Sequence, residues 1–524
     1  IAYAATDAPP KKNGADKFDD AFEVGDGSFL DKDKALPTHL WLIPTAGGAA
    51  KRLTSGTWTL HVASPIEFTP DGNKLIYVRL ENTYSGDRRL SSPQVLDLAS
   101  GKSEPITTHR MYATQPVSSP DGSHVAYNYP RSGADRDYQD IFVVNGLKGD
   151  GDNITRTIDR NFFRARALWM PDNKSILTGA DDGATVSLWI QSLTGTSTKL
   201  DLGDVTPETW PWLDVTVGNQ GQIAFVGTEP HRPWEIYILD TPQSKPRRLT
   251  TFHAAFDSLN LGKSEVVTWQ SPDKAPKNWT ENGILTYPPG YRPGKKLPLV
   301  LYIHGGPAAS SKDTFSDFAQ IIAAQGWLVF EPNYRGSDNF GNDFGRAIVD
   351  DTGNGPGRDV LAGLDMLKTR GIVDESNIAV TGWSYGGYMT SWLIGHAQFW
   401  KAAIAGAPIT NMLDQYALSD NNVRFATLIG GSPYTGDWMK HFVEQSPITY
   451  YEKMSTPTLI LQDVGDYRVT ITQGYQLYHS LKDRGVKTWF YAYPIGGHSP
   501  DDPVRMRDVY RRWIEWLDLY LPRE

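Results

Sequence analysis

Two periodicities divide the chain. Up to about residue 250, short runs rich in β-branched and aromatic residues alternate apolar with polar positions. "TPDGNKLIYVRL" begins at Thr69, "SPDGSHVAYNYP" at Ser119, "MPDNKSILTGA" at Met170 and a weaker copy, "GNQGQIAFVGT", at Gly218. Each reads as a turn followed by a strand. Second strands that end in a turn lie between them, such as "PQVLDLASGK" and "EIYILDTPQSK". A spacing of about 50 residues, with about four short strands per unit, predicts β-propeller blades. "IAYAATD" aligns with "LIYVRL", the strand after the turn, so one partial and four further repeats are expected. A closed propeller of seven blades would need residues before Ile1, and the propeller is expected to be incomplete at its N-terminus.

Near Gly262 the pattern changes. Two or three strands from "SEVVTWQ" to "LVLYIHGGP" give way to strands alternating with helices. "GWLVFEPNY", "NIAVTGW", "TPTLILQD" and "KTWFYAYP" read as strands. "GRDVLAGLDMLKTRG", "TQGYQLYHSLKDRG" and the closing "PVRMRDVYRRWIEWLDLYL" read as helices. The alternation predicts a mostly parallel sheet covered by helices. The expected organisation is a β-propeller over residues 1–262 followed by an α/β-hydrolase domain over 263–524.

One strand-to-helix junction carries chemistry. In "VTGWSYGGYM", Gly382-Trp383-Ser384-Tyr385-Gly386 is a G-x-S-x-G turn between an apolar run and a helix. Such an elbow lifts a serine hydroxyl clear of the sheet at a helix N-terminus, where the peptide dipoles favour developing negative charge. Without further support it would be a glycine-rich turn with a solvated serine. A serine nucleophile needs a histidine base oriented by a carboxylate, in the chain order Ser, Asp/Glu, His. The loop after "TLIL" holds Asp463 and Asp466, and "IGGHSP" after the next strand holds His498. Spacing alone does not choose between the two aspartates. The oxyanion donors are expected to be the N–H groups of Tyr385, directly after the nucleophile, and Gly306 in "HGGP".

Composition narrows the partners. A net charge of −9 argues against nucleic acid and anionic membranes. The absence of cysteine excludes disulfides and thiolate chemistry, and the 11 histidines show no zinc-binding spacing, so neither metal nor cofactor is expected. No run of 18 apolar residues is present, so no membrane span is expected. The first residues lack the pattern of a signal peptide, and compartment and homo-oligomer formation stay open.

"YIHGGP", "PNYRGSDNFG" at 332–341, "GWSYGGYM", "GDYRV" and "GGH", with the repeats in front, resemble the prolyl oligopeptidase family of serine peptidases, in its acylaminoacyl-peptidase and dipeptidyl-peptidase V-like branch. The resemblance implies hydrolysis of short peptides through an acyl-enzyme, with the propeller excluding folded proteins. The family pattern H-G-x-x-D-x-R-V-P selects Asp466 as the triad acid and Arg468 as the residue holding a substrate carbonyl. This chain departs from it, with Gln462-Asp463 in place of His-Gly and Thr470 in place of Pro; a surface ion pair is the other reading of Arg468. The family also implies that residues 409–430 line the pocket for the scissile residue. No adjacent Glu-Glu occurs, the pair with which the dipeptidyl-peptidase IV branch holds a free amino terminus. The acidic stretch 15–34 reads as a solvated extension of a blade. A carboxylesterase on the same fold, or an inert propeller-based binding protein, are the competing readings.

Overall fold

The computed structural model describes residues 1–24, 34–84, 89–273 and 278–523. Of the acidic stretch, residues 25–33 lie outside these, and residues 15–24 are almost wholly exposed.

Among the described residues, five antiparallel sheets follow one another in the N-terminal half. The first has three strands, the others four or five. The four larger sheets are built around the long pairs Lys74–Leu80 with Ser91–Asp97, His124–Pro130 with Gln139–Asn145, Ser175–Asp182 with Thr185–Ser192, and Ile223–Glu229 with Arg232–Leu239. The repeated turn has a mechanism. Asp71 accepts from the Thr69 hydroxyl (2.6 Å) and the Asn73 amide (3.1 Å), and Asp121 repeats both contacts with Ser119 and Ser123. A carboxylate that bonds the amide two residues on stabilises the turn that starts each strand.

The cores of this half lie between sheets. Leu40, Leu75 and Leu96 pack between the first and second, Ile76 and Val125 between the second and third. Ile141 and Ile176 pack between the third and fourth, and Leu177, Leu188 and Phe225 between the fourth and fifth. Successive residues of one strand, such as Leu75 and Ile76, therefore face different neighbours, which is why these strands are buried on both faces.

The C-terminal half is one eight-stranded sheet starting at Ser264. Its spatial order, by residue range, is Ser264–Gln270, Thr280–Thr286, Leu328–Pro332, Leu297–Ile303, Val373–Trp383, Ala402–Gly406, Thr458–Gly465, Thr488–Gly496. The first two strands join antiparallel, and from Leu328–Pro332 onward every pairing is parallel. A large core covers one face, and the helices Asp317–Ala323 and Pro503–Asp518 cover the other. The strand expected to end at Leu461 runs on to Gly465, which puts Asp463 on the sheet. Among the described residues no helix is long and apolar enough to cross a membrane.

Polar contacts seat the two halves against each other. Lys312 and Ser310 reach Asp181, each at 2.9 Å, the Tyr138 hydroxyl donates to the Ser337 carbonyl (2.9 Å), and Asn342 donates to Asp137 (3.0 Å). Of the 332–341 motif, Ser337 and Asn339 serve the seam, Asn339 by donating to the Gly183 carbonyl (2.8 Å).

Candidate active site

The Val373–Trp383 strand ends directly on Ser384, and the helix Tyr385–His396 starts directly after it. Ser384 has φ 63° and ψ −120°, a strained conformation for a residue with a side chain. Gly386 makes so sharp a reversal possible: a Cβ there would collide with the carbonyl oxygen of Ile303. The Ser384 amide donates to the Gly406 carbonyl (2.9 Å), which locks the elbow onto the next strand. The first N–H groups of the helix, Tyr385 included, have no intrahelical acceptor.

The "HGGP" turn follows the adjacent strand, Leu297–Ile303, and borders the elbow. A Cβ built on Gly305 would lie 4.0 Å from Ser384 Oγ. Gly306 adopts φ 122°, open to glycine and rarely to other residues. His304 anchors this turn. It is buried and stacks on Tyr334 at 4.4 Å, with Nε2 2.9 Å from the Ser337 hydroxyl and Nδ1 2.8 Å from the Gly305 carbonyl oxygen. Dehydration pulls its pKa down to about 4, so it is neutral at pH 7. The sequence offered His304 only as the first letter of a motif.

Asp466 and His498 come from the loops after the last two strands. Asp466 Oδ2 is 2.7 Å from His498 Nδ1, while Oδ1 accepts the amides of Arg468 (2.8 Å) and Val469 (2.9 Å). Both carboxylate oxygens are thus held, and the side chain is fully buried. His498 Nε2, on the edge of the ring away from Asp466, is buried and has no hydrogen-bond partner among the described residues, Ser384 included. The Trp383 indole donates to the His498 carbonyl at 2.7 Å and ties the histidine loop to the elbow. Trp383 occupies a variable position of the serine motif, so nothing in the sequence marked it.

Asp463 is buried one turn away. Neither of its oxygens has a partner among the described residues, and burial, then the charge of Asp466, pushes its pKa up to about 7. The histidine contact belongs to Asp466 alone. Arg468 is held by Asp420, Nε to Oδ1 at 2.6 Å and Nη2 to Oδ2 at 3.3 Å. Nη1 has no acceptor among the described residues. Arg468, Asp420, Asp466 and His498 line a cavity of about 640 Å³, with Val464 and Tyr467 among its other walls. From residues 409–430, Asp420 lines it, in the link between the helices Met412–Leu418 and Asn422–Ile429. Among the described residues no cluster of three or more acidic or histidine side chains could hold a metal ion.

Residues 313–523 match the prolyl oligopeptidase family. Dipeptidyl-peptidase 5 of Porphyromonas gingivalis is 28% identical over 485 residues, 87% of this chain and 66% of that protein. The acylamino-acid-releasing enzyme of Mus musculus is 24% identical, over 84% of this chain and 63% of its own length. The chain thus spans about two thirds, or slightly less, of these relatives. Among solved structures, an acylaminoacyl peptidase in complex with Z-Gly-Gly-Phe-chloromethyl ketone superposes with a TM-score of 0.82 at 20% identity, covering 100% of this chain and 80% of that one. A puromycin hydrolase superposes with a TM-score of 0.74 at 16% identity, over 94% and 75% of the two chains. The overall fold is the expected propeller joined to an α/β-hydrolase domain.

Proposed function

From the match of residues 313–523 to the prolyl oligopeptidase family, we propose a serine peptidase that hydrolyses short peptides. The observation that carries this reading is the His498–Asp466 pair with a free Nε2, tied through Trp383 to a strained serine elbow. The division of labour follows residues 1–262 as propeller and 263–524 as catalytic domain.

Ser384 Oγ attacks the substrate carbonyl as His498 Nε2 takes its proton. Asp466 keeps the imidazole in the tautomer with Nδ1–H and stabilises the imidazolium. The oxyanion that forms is met by the N–H groups of Tyr385 and Gly306. His498 then gives its proton to the leaving amine, and water repeats the sequence on the acyl-enzyme. Arg468, fixed by Asp420, offers Nη1 to a carbonyl of the bound peptide. The relatives' names, dipeptidyl-peptidase and acylamino-acid-releasing enzyme, favour peptides cut near an end.

Turnover of an acyl-peptide amide beside that of a p-nitrophenyl ester tests the reading. Hydrolysis of both is expected, since one triad serves both bonds. An enzyme active on the ester and inert on every short peptide would be a carboxylesterase.

A further inference from the structure

The triad leaves one carboxyl of the catalytic edge without a task. Asp463 lies opposite Tyr493 where the last two strands pair, and Gly465 lies opposite Gly496. The Asp466 amide donates to the Asp463 carbonyl at 3.4 Å. A Cβ built on Gly497, the residue before His498, would lie 4.0 Å from Asp463 Oδ2. The side chain is thus packed against the histidine loop, and its backbone carries the loop that holds Asp466. The family pattern has glycine at this position, so the carboxyl is a departure made by this chain.

Packing gives no reason for it. Both oxygens are buried and, among the described residues, neither has a hydrogen-bond partner. A buried polar group left so costs stability, and such groups are rare in folded chains. The charged groups that act on it are Asp466 on its own loop, His498 and Asp501 on the histidine loop, and Arg505 on the closing helix. Arg505 is already held by Asp502, at 2.8 Å. On the neighbouring strand, the Tyr493 hydroxyl donates to Asp508 instead, at 3.0 Å. Burial and the charge of Asp466 raise its pKa to about 7, so the carboxyl gains its charge as pH passes through neutrality.

Charge at this place bears on the reaction. As Ser384 attacks, His498 becomes an imidazolium. A carboxylate shielded from bulk water stabilises a cation that forms nearby more strongly than it would in water. We propose that Asp463, acting through the Asp466–His498 pair, is a second counter-charge for the imidazolium, so that the triad gains power as Asp463 ionises. This rests on the triad of the peptidase reading. Asp466 stabilises the imidazolium by contact and Asp463 does so through space. Asp463 touches neither substrate nor the reacting atoms, and it gives its proton to solvent. It is therefore a positioning residue, with an effect far smaller than that of Asp466.

The test is the pH dependence of a ratio. kcat/KM for a p-nitrophenyl ester is measured over about pH 5.5–8.5, which spans the titration of Asp463. Wild type is compared with Asp463→Asn and Asp463→Leu, two neutral side chains of different packing, with melting recorded at each pH. From the acid to the alkaline end, the advantage of wild type is expected to grow by about 3- to 30-fold over either variant. Asp463→Glu, which keeps a carboxyl, should retain part of the rise. A packing role predicts a different result: losses that differ between Asn and Leu and do not change with pH. An advantage that is constant, or that falls as pH rises, overturns the proposal. Peptide cleavage is read beside the ester. Cleavage with a flat ratio rejects the role of Asp463 and leaves the peptidase. A rising ratio on the ester with no peptide cleaved keeps the role and rejects the peptidase. Hydrolysis of neither substrate rejects both.

Discussion

The two halves of this chain bury apolar residues in opposite ways. In the propeller half, each sheet is made by hairpins between neighbouring segments, and the core is divided into packets between successive sheets. In the catalytic half, strands far apart in sequence lie side by side, as Thr458–Gly465 does against Ala402–Gly406, over continuous cores on two faces. Local repetition makes a modular wall and fixes no single point in space. A parallel sheet brings the ends of its strands to one edge, and there the elbow, the Asp466 loop and the His498 loop converge. The same difference separates stability from chemistry, and variants in each half should show it.

The largest effect belongs to the catalytic edge. Ser384→Ala should lower turnover on the order of 10⁶-fold, the scale of nucleophile loss in a triad enzyme, with unchanged circular dichroism and melting. A variant that kept a tenth of wild-type activity would remove Ser384 from the mechanism. Asp466→Asn comes next. It leaves the space filled but favours the wrong histidine tautomer, which costs about 10⁴ in a comparable triad. Kinetics of Asp463→Asn on the same substrate should show a far smaller loss, because Asp463 does not touch His498; equal losses would leave the acid unassigned.

The propeller should answer in the other currency. Leu177 is fully buried between the fourth and fifth sheets. Leu177→Ala should destabilise by about 2–5 kcal/mol, read from urea unfolding. Turnover of a small ester below the transition should stay near wild type. A large loss of ester turnover in the folded variant would mean that the propeller's packing reaches the triad directly.

The smallest effect is a pH signature at Asp463. Its folded pKa, about 7, lies above the ordinary carboxyl value near 3.9. The folded state therefore binds the proton more tightly than the unfolded chain. That stabilisation is complete below about pH 4 and is lost as pH rises through 7. Asp463→Asn should therefore melt higher than wild type at pH 8, with the gap closing toward pH 4. A gap that is constant with pH would mean that Asp463 does not titrate in this range.

The sequence was most informative where local rules act. The Pro-Asp turns are set by a side chain two residues from the amide it accepts, so the repeats could be read directly. The elbow could be read because Gly382, Ser384 and Gly386 fall within five consecutive residues. What could not be read depends on contacts across long separations. The choice between Asp463 and Asp466 needed the histidine loop, 32 residues further on, and local spacing left both open until the family pattern was laid over them. The Asp420 partner of Arg468 lies 48 residues away in a segment with no motif. Trp383 binds the His498 carbonyl across 115 residues.

Labelling with a fluorophosphonate, followed by intact-protein mass spectrometry and peptide mapping, tests the assignment of the nucleophile most directly. The reagent reacts with a serine activated by a neighbouring base and bypasses the question of substrate. One adduct per chain is expected, on Ser384, absent from Ser384→Ala and formed much more slowly in Asp466→Asn. A protein that hydrolyses peptides while taking no label, or that carries the label on another residue, would contradict the mechanism.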